Sequence, residues 1–424
     1  MLHYLVFAIF VILFIRNFEK TSILVAALAC WLTMFRDPLK LVSNLALTLF
    51  LISSVWGLFK YRKQLSVAPF LWCAMPVLLS YTVTMHVHGF HPKQYLIIVA
   101  QYMFPCILYC IINTQKRLNL FVKYASGLLI LATMYCFVEE YISANPIMHW
   151  CENHPSSFTW LIDRTEHRFG FKRAQSFFSY EPAFGLTCTY IFIILFTLMR
   201  DGAYIMKTSW RKLLVFLLPI CVFLTGTRSV VLCFIVACVS LLTPHTIRKY
   251  RFPLFLICLV LMLFVGSYFE SIYDSIFVDS AELGGSSSDM REGQWNLAFY
   301  YMGQNFWFGN GIGFTGQLME QDIAGLFGAE GMWLPIMMDR GMIGVIGGLT
   351  AFIIGLCAIV KRKNYKLIWL WVSFLLLKTI TTGVGIEPTY YEIILVVLFR
   401  YAEFYMPLLY KKKNVFNFNN NPCL

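Results

Sequence analysis

The sequence predicts an all-α protein: a polytopic bundle of about 12 to 14 transmembrane helices, forming one integral membrane domain over residues 1–424. Three observations predict it. Hydrophobic residues make up 59% of the chain and charged residues 13%, against roughly 25% charged in a soluble domain. Apolar runs of about 20 residues, long enough to cross a bilayer, recur from one end to the other. The basic residues gather in short connections that alternate with segments poor in lysine and arginine, which is the positive-inside pattern.

In order, the apolar runs fall at about 2–15, 21–35, 41–59, 67–87, 95–112, 118–142, 182–199, 213–225, 228–243, 252–269, 332–360, 365–382 and 388–406. The first lacks a basic n-region and a small-residue cleavage site, so it is expected to be a retained span and not a cleaved signal peptide. Alternation puts Lys60-Tyr61-Arg62-Lys63, Lys116-Arg117, Arg211-Lys212, Arg248-Lys249-Tyr250-Arg251, Lys361-Arg362-Lys363 and Lys411-Lys412-Lys413 on the cytoplasmic side. Two long extracytoplasmic loops remain, at about 143–181 and 270–331.

One run needs division. Residues 213 to 243 are almost wholly apolar except for Arg228 at their middle. As a single helix they would measure roughly 45 Å, too long for a hydrocarbon core of about 30 Å. Both flanks carry basic clusters and so require the same side. The stretch therefore reads as two short antiparallel spans turning at Thr225-Gly226-Thr227, with Arg228 in the first helical turn at the outer mouth.

The charge pattern excludes several function classes. The formal charge of +12 is spent on topology, which argues against nucleic-acid binding. Nearly all of the thirteen cysteines lie inside apolar runs, and no C-x-x-C exists, so no disulfide framework or thiolate metal site follows. His86-x-His88-x-x-His91 has no nearby carboxylate or cysteine to complete a metal site and reads as interface packing. No D-x-D pair is present to hold a metal against a diphosphate, so neither a metal nor any other cofactor is expected, and phosphate chemistry would rest on arginine.

The second loop carries one basic residue, Arg291, against nine acidic ones, Glu270, Asp274, Asp279, Glu282, Asp289, Glu292, Glu320, Asp322 and Glu330. Its middle, Arg291 to Phe306, reads as an interfacial amphipathic helix with Trp295, Leu297, Ala298, Phe299 and Met302 available for the apolar face. Gly309-x-Gly311-x-Gly313 then breaks it. No strand precedes these glycines, so they read as a tight turn that lets backbone approach a ligand, not as a dinucleotide loop. Arg228 is either an interface residue or an anion-binding group facing a cavity. Arg291 is either an anion ligand or the partner of Asp289 or Glu292.

The order of these features resembles a known family. Thr-Gly-Thr-Arg228-Ser opening an apolar helix is followed by Arg291-x-x-x-Trp295, then Phe308-Gly-Asn-Gly-Ile-Gly-Phe314, then Arg340-Gly-Met-Ile-Gly344. Over about residues 205–360 this is similar to the O-antigen ligase and polymerase superfamily of bacterial inner-membrane proteins. Arg173-x-x-Ser176-Phe-Phe-x-Tyr-Glu181-Pro182 resembles its polymerase branch. Ligases of the superfamily have a histidine at the start of the helix after the glycine turn. Here that position reads Ala329-Glu330-Gly331, and no histidine follows His245.

The resemblance implies a helical glycosyltransferase of the C class, multi-pass in the inner membrane with its active site facing the periplasm. Its substrates would be undecaprenyl-diphosphate-linked oligosaccharides, with membrane lipid and a chain-length regulator protein as further partners and no nucleic acid. Arg228, Arg291, Glu330 and Glu181 are the expected catalytic residues. Arg173, Arg168, Arg164, Gly311 and Gly313 are the expected substrate-binding ones. Guanidinium groups suit a departing diphosphate because they bind its oxygens bidentately and keep their charge at any pH. A loop carboxylate would serve as base, Glu330 ahead of Glu181, which stands at a helix start where capping is the competing role. The alternatives are a ligase, or a transporter of lipid-linked glycans. A transporter would place its charges at mid-membrane on broken helices.

Overall fold

The computed structural model describes residues 2–34, 45–152, 167–168, 171–178, 181–200, 206–242, 248, 251–252, 287–321, 326, 331–361, 365–380 and 392–405. Those residues are overwhelmingly helical. In hydrocarbon each backbone N–H and C=O must be satisfied within its own segment, and an apolar chain meets that demand as helix.

The first six helices are α1 (Leu2–Arg16), α2 (Phe18–Met34), α3 (Leu45–Leu65), α4 (Pro69–His88), α5 (Pro92–Ile111) and α6 (Gln115–Ile142). Proline opens α4 and α5, where its missing N–H costs nothing. Thr114 caps α6 by accepting from the Arg117 N–H at 3.4 Å. A short α7 (Pro146–Glu152) follows, then a two-residue antiparallel pair, β1 (His167–Arg168) and β2 (Phe171–Lys172), the one departure from all-helical structure among the described residues. Next come α8 (Glu181–Arg200), α9 (Thr208–Leu224) and α10 (Arg228–Val239). After them stand α11 (Ser287–Gln304), α12 (Phe314–Glu320), α13 (Trp333–Lys361), α14 (Tyr365–Ile380) and α15 (392–405).

Five described helices, α4, α5, α6, α8 and α13, are long and apolar enough to cross a membrane. The chain is an all-α polytopic membrane protein, as its composition predicts. α13 packs along α4, α3 along α5, α8 along α9 and α10, and α10 against α14. One apolar core joins α1 to α6 and α8 to α10 with α13, α14 and α15. A smaller one, built on Ala298, Leu318, Leu326, Leu334 and Met338, fixes α11 and α12 over the start of α13. Because α4, α5 and α6 are joined by short connections, His88 and Ile142 lie at the same end of the bundle. That end carries the candidate site.

Three expectations change. The run at 332–360 is one helix only in outline, since α13 is broken at Gly341 (φ +58°, ψ −151°). The helix expected from Arg291 begins at Ser287; Gln294, Ala298 and Met302 are buried, and Trp295 and Phe299 are exposed, their ring centroids 5.9 Å apart. The loop expected at 143–181 is not an open excursion, because residues 172–178 are almost all buried in the bundle. The span expected at 252–269 falls, from residue 253 on, outside the described residues.

Candidate functional site

The hairpin inferred for residues 213–243 is present. α9 ends at Leu224, Gly226 takes a left-handed conformation (φ +59°), and α10 opens at Arg228. The two threonines hold the reversal: Thr225 Oγ1 donates to Val222 O at 2.7 Å, and Thr227 Oγ1 to Thr225 O at 3.1 Å. Arg228, half-buried, thus stands at the loop end of the bundle and not at mid-membrane.

The segment leading to α8 folds back onto this hairpin. Ala174 N–H donates to Leu224 O at 2.9 Å, so Arg173 sits beside the turn that Arg228 follows. The anchor of this segment is Glu139 on α6. Its carboxylate takes Lys172 Nζ at 2.6 Å and the Ser176 N–H at 2.8 Å, and all three residues are buried. Ser176 (φ +53°) also donates its hydroxyl to Ala132 O at 2.7 Å, and Asn145 Nδ2 donates to Ser176 O at 3.0 Å.

Beyond the anchor, Arg173 Nε lies 3.6 Å from Glu181 Oε1, with both side chains buried. Neither Glu181 oxygen accepts a hydrogen bond among the described residues, so the carboxylate does not cap α8. It faces the Arg173 guanidinium.

A second constellation surrounds the glycine turn. Where α13 breaks, its backbone groups bond the turn in place of one another. Asn310 N–H donates to Met338 O (2.9 Å), Gly311 N–H to Asp339 O (3.1 Å), Met342 N–H to Phe306 O (2.8 Å) and Ile343 N–H to Trp307 O (3.1 Å). Gly309 and Gly341 make this possible. Both have positive φ, and a Cβ on either would lie 2.5 Å from the backbone of the other strand of the contact, at Arg340 N and Gly309 N respectively. The Asp339 carboxylate completes the clasp by accepting from Gly313 N–H (3.1 Å), Thr315 N–H (2.8 Å) and the Thr315 hydroxyl (2.5 Å). The N–H groups of Gly311 and Gly313 are therefore engaged by α13. On its far side the turn meets the start of α5 and the end of α4, where a Cβ on Gly311 would lie 3.5 Å from His88 Cβ.

Next to Asp339, Arg340 points the other way. Its guanidinium is buried, donates to Ser80 Oγ at 2.9 Å, and lies 4.0 Å from the centroid of the Tyr81 ring.

Of the residues expected to act, Arg228, Arg173 and Glu181 are brought together through the 172–178 segment. Arg291 is exposed in the first turns of α11. Arg168 lies in β1; its side chain, with Arg164 and Glu330, falls outside the described residues. Among the described residues no three of His, Cys, Asp and Glu lie together as metal ligands. Sequence reasoning passed over Glu139, Lys172, Asp339 and Arg340 as participants. The available signals were weak: a Glu139-Glu140 pair closing an apolar run, and Asp339-Arg340 interrupting another just before a glycine.

Residues 213–348, about a third of the chain, match the family model described as O-antigen ligase. The match begins in α9 and ends in α13, so it contains the hairpin, Arg228, Arg291, the glycine turn and its clasp. Over this segment the chain is similar to the O-antigen ligase family, which supports the resemblance read from its motifs. No curated protein matches the chain. The match and the apolar helices together support a membrane protein of glycosyltransferase type in the broad sense. The 172–178 anchor lies upstream of the matched segment and packs onto its first residues.

Proposed function

We propose that this protein is the polymerase of its superfamily, joining undecaprenyl-diphosphate-linked oligosaccharide repeat units on the periplasmic face of the bacterial inner membrane. The observation that carries the reading is the docking of residues 172–178 on the α9–α10 turn, which sets Arg173 beside the turn from which Arg228 emerges. Two guanidinium-bearing residues at one end of a membrane bundle suit a lipid diphosphate travelling at the surface with its chain in the bilayer.

The reaction then needs three things. The acceptor hydroxyl attacks the anomeric carbon of the donor glycan and gives its proton to a carboxylate. The bond from that carbon to the diphosphate oxygen breaks, and the electron pair leaves with the lipid diphosphate. Arg228, Arg173 and Arg291 meet the charge that grows on those oxygens. Arg164 and Arg168 extend the same basic loop. Glu330 is the base, since it follows the glycine turn at the start of α13. Glu181, buried against Arg173, orients that guanidinium.

A positioned base contributes about 10²–10⁴-fold. Glu330→Gln should cut turnover of a defined lipid-linked repeat unit on that scale, with donor binding nearly intact. Near-normal turnover in Glu330→Gln together with collapse in Glu181→Gln would transfer the role to Glu181.

One observation favours a second reading, as a ligase. A histidine does stand beside the glycine turn, His88 from α4, though not on the helix where ligases carry theirs. Surface polysaccharide from a strain lacking the protein separates the two. A single repeat unit on lipid A means polymerase; free, unattached polymer means ligase.

A further inference from the structure

We infer that the corner between α4 and α5 is the subsite for the acceptor's terminal sugar, with His88 and Gln94 holding its hydroxyls beside the glycine turn. The inference rests on the reading above, in which a carboxylate takes the proton of an acceptor hydroxyl. It names the residues that select the sugar carrying that hydroxyl.

The corner is made by the end of one spanning helix and the start of the next. α4 closes at His88, Gly89 turns the chain with a φ of +113°, and Pro92 opens α5. The glycine turn lies along this corner. Thr84 Oγ1 donates to Phe308 O at 3.4 Å, one helical turn before His88. A Cβ on Gly311 would lie 3.5 Å from both Cβ and Cγ of His88, and one on Gly313 would lie 3.7 Å from Gln94 Nε2. Bare backbone thus faces an imidazole and a carboxamide. The N–H groups of Gly311 and Gly313 are committed to Asp339, so recognition on the corner side falls to the two side chains.

Their chemistry suits a sugar. A neutral imidazole and a carboxamide each carry a donor and an acceptor, and a hydroxyl both gives and takes hydrogen bonds. His88 is exposed and Gln94 half-buried, and among the described residues no hydrogen bond occupies either polar end. Phe90 is 56% exposed, with its ring centroid 5.5 Å from that of Tyr95. Tyr95 is held by a hydrogen bond with Thr82 at 3.1 Å, so the Phe90 ring is backed by a fixed neighbour. A pyranose has a face of C–H bonds that can lie on an aromatic ring and hydroxyls around its rim. One ring with two polar groups beside it matches that shape.

The charge pattern separates this corner from the diphosphate. Residues 84–95 contain no arginine and no carboxylate, so they neither repeat the arginines of the 172–178 segment and α10 nor supply a second carboxylate base. What they offer is hydrogen bonding without strong charge, which fits the glycan and not its leaving group. The turn lies inside the segment that matches the family model, while α4 and α5 lie before it. The corner is therefore a wall added to the matched segment from elsewhere in the chain. A wall that bonds a hydroxyl rejects a sugar that lacks it, because its own polar groups are then left unpaired.

The test uses the full chain in nanodiscs. Its probe is the repeat-unit oligosaccharide freed from its lipid diphosphate by mild acid, with binding read by saturation-transfer NMR. His88→Ala and Gln94→Ala should each weaken binding about two- to tenfold. His88→Gln, which keeps a donor and an acceptor, should lose less. Phe90→Ala should remove saturation transfer to the protons of one sugar face, and Phe90→Tyr should keep it. Trimming the non-reducing terminal sugar from the probe should abolish the binding. In polymerisation of the lipid-linked unit, the same variants should raise KM by like factors and leave kcat within about twofold. His88 and Phe90 are exposed, so their replacement should leave thermal stability unchanged. Unaltered oligosaccharide affinity in the double variant His88→Ala with Gln94→Ala overturns the inference, as does equal binding of the trimmed probe. A fall in kcat with KM unmoved also overturns it, since the corner would then only brace the turn. Binding is read without any transfer, so an oligosaccharide held at the corner by a protein that polymerises nothing would sink the proposed function and leave the subsite standing. Polymerisation with an unchanged KM in the double variant would do the reverse.

Discussion

Lys172 and Arg340 are both buried in this bundle, and their surroundings differ in one respect. Lys172 meets the Glu139 carboxylate at 2.6 Å, and the same carboxylate binds the backbone of Ser176. Arg340 has a serine hydroxyl and the face of a tyrosine ring. A charge taken out of water costs several kcal/mol, and an interior partner offsets that only with good geometry and further hydrogen bonds. Lys172 has both, so its charge is spent inside the protein, fastening residues 172–178 to α6. Arg340 has one neutral hydrogen bond and a ring face, and among the described residues no carboxylate within ion-pair distance. The difference separates a charge spent on fastening the fold from one that is not.

The largest effect expected from this comparison is at the anchor. Lys172→Ala strands the Glu139 carboxylate in the bundle, and breaking a buried pair from one side typically costs about 3–5 kcal/mol. Replacing both partners together, Glu139→Leu with Lys172→Met, should recover most of that loss, because no buried charge is then left alone. Unfolding of the purified protein in mixed micelles measures both. If the double variant is as unstable as the single one, the pair is not the anchor that its geometry indicates.

How much of this was legible beforehand follows from the range of the interactions. The Thr225–Thr227 reversal could be read from length and charge alone: 31 apolar residues between two basic flanks must turn back. The helices themselves follow from local apolar composition, and the described ones begin and end within a few residues of the expected spans. Glu139 and Lys172 are 33 positions apart, and nothing local says that a loop lysine will enter the bundle to find a glutamate. The break at Gly341 depends on the glycine turn arriving to satisfy the freed backbone groups, so the apolar run 332–360 gives no sign of it. The apolar residues of α11 were legible as a set, but which of them pack on α13 was not, because that side is chosen by what fits there, and small Ala298 is buried where Trp295 is exposed. Within the site, the arginines were visible by type, and their company was not.

The clasp at the break should show a smaller effect than the anchor, because its partners are backbone groups of a turn and not a buried charge. Asp339→Ala removes the acceptor for Gly313 N–H, Thr315 N–H and the Thr315 hydroxyl. A polar group left without a partner costs about 1–3 kcal/mol. The loss should be local: amides in residues 309–320 should exchange faster, while those of α8 keep their protection. Hydrogen exchange read by mass spectrometry distinguishes this from a global loss. Uniformly faster exchange would mean that Asp339 supports the whole bundle, and it would then belong with Lys172 among the residues that fasten the fold.

The smallest stability effect is expected where the charge is least compensated. Arg340→Met keeps the length of the side chain and removes the guanidinium. The protein loses one hydrogen bond, worth about 0.5–1.5 kcal/mol net, and the contact with Tyr81, worth about 0.5–2 kcal/mol. Against these it recovers the cost of holding an unpaired cation out of water, which is of several kcal/mol. The net change should lie near zero or favour the folded state, measured in the same micelles as Lys172→Ala. A drop as large as that of Lys172→Ala would mean that Arg340 is held by the fold as firmly as Lys172 is. Lys172 and Arg340 would then be of one kind.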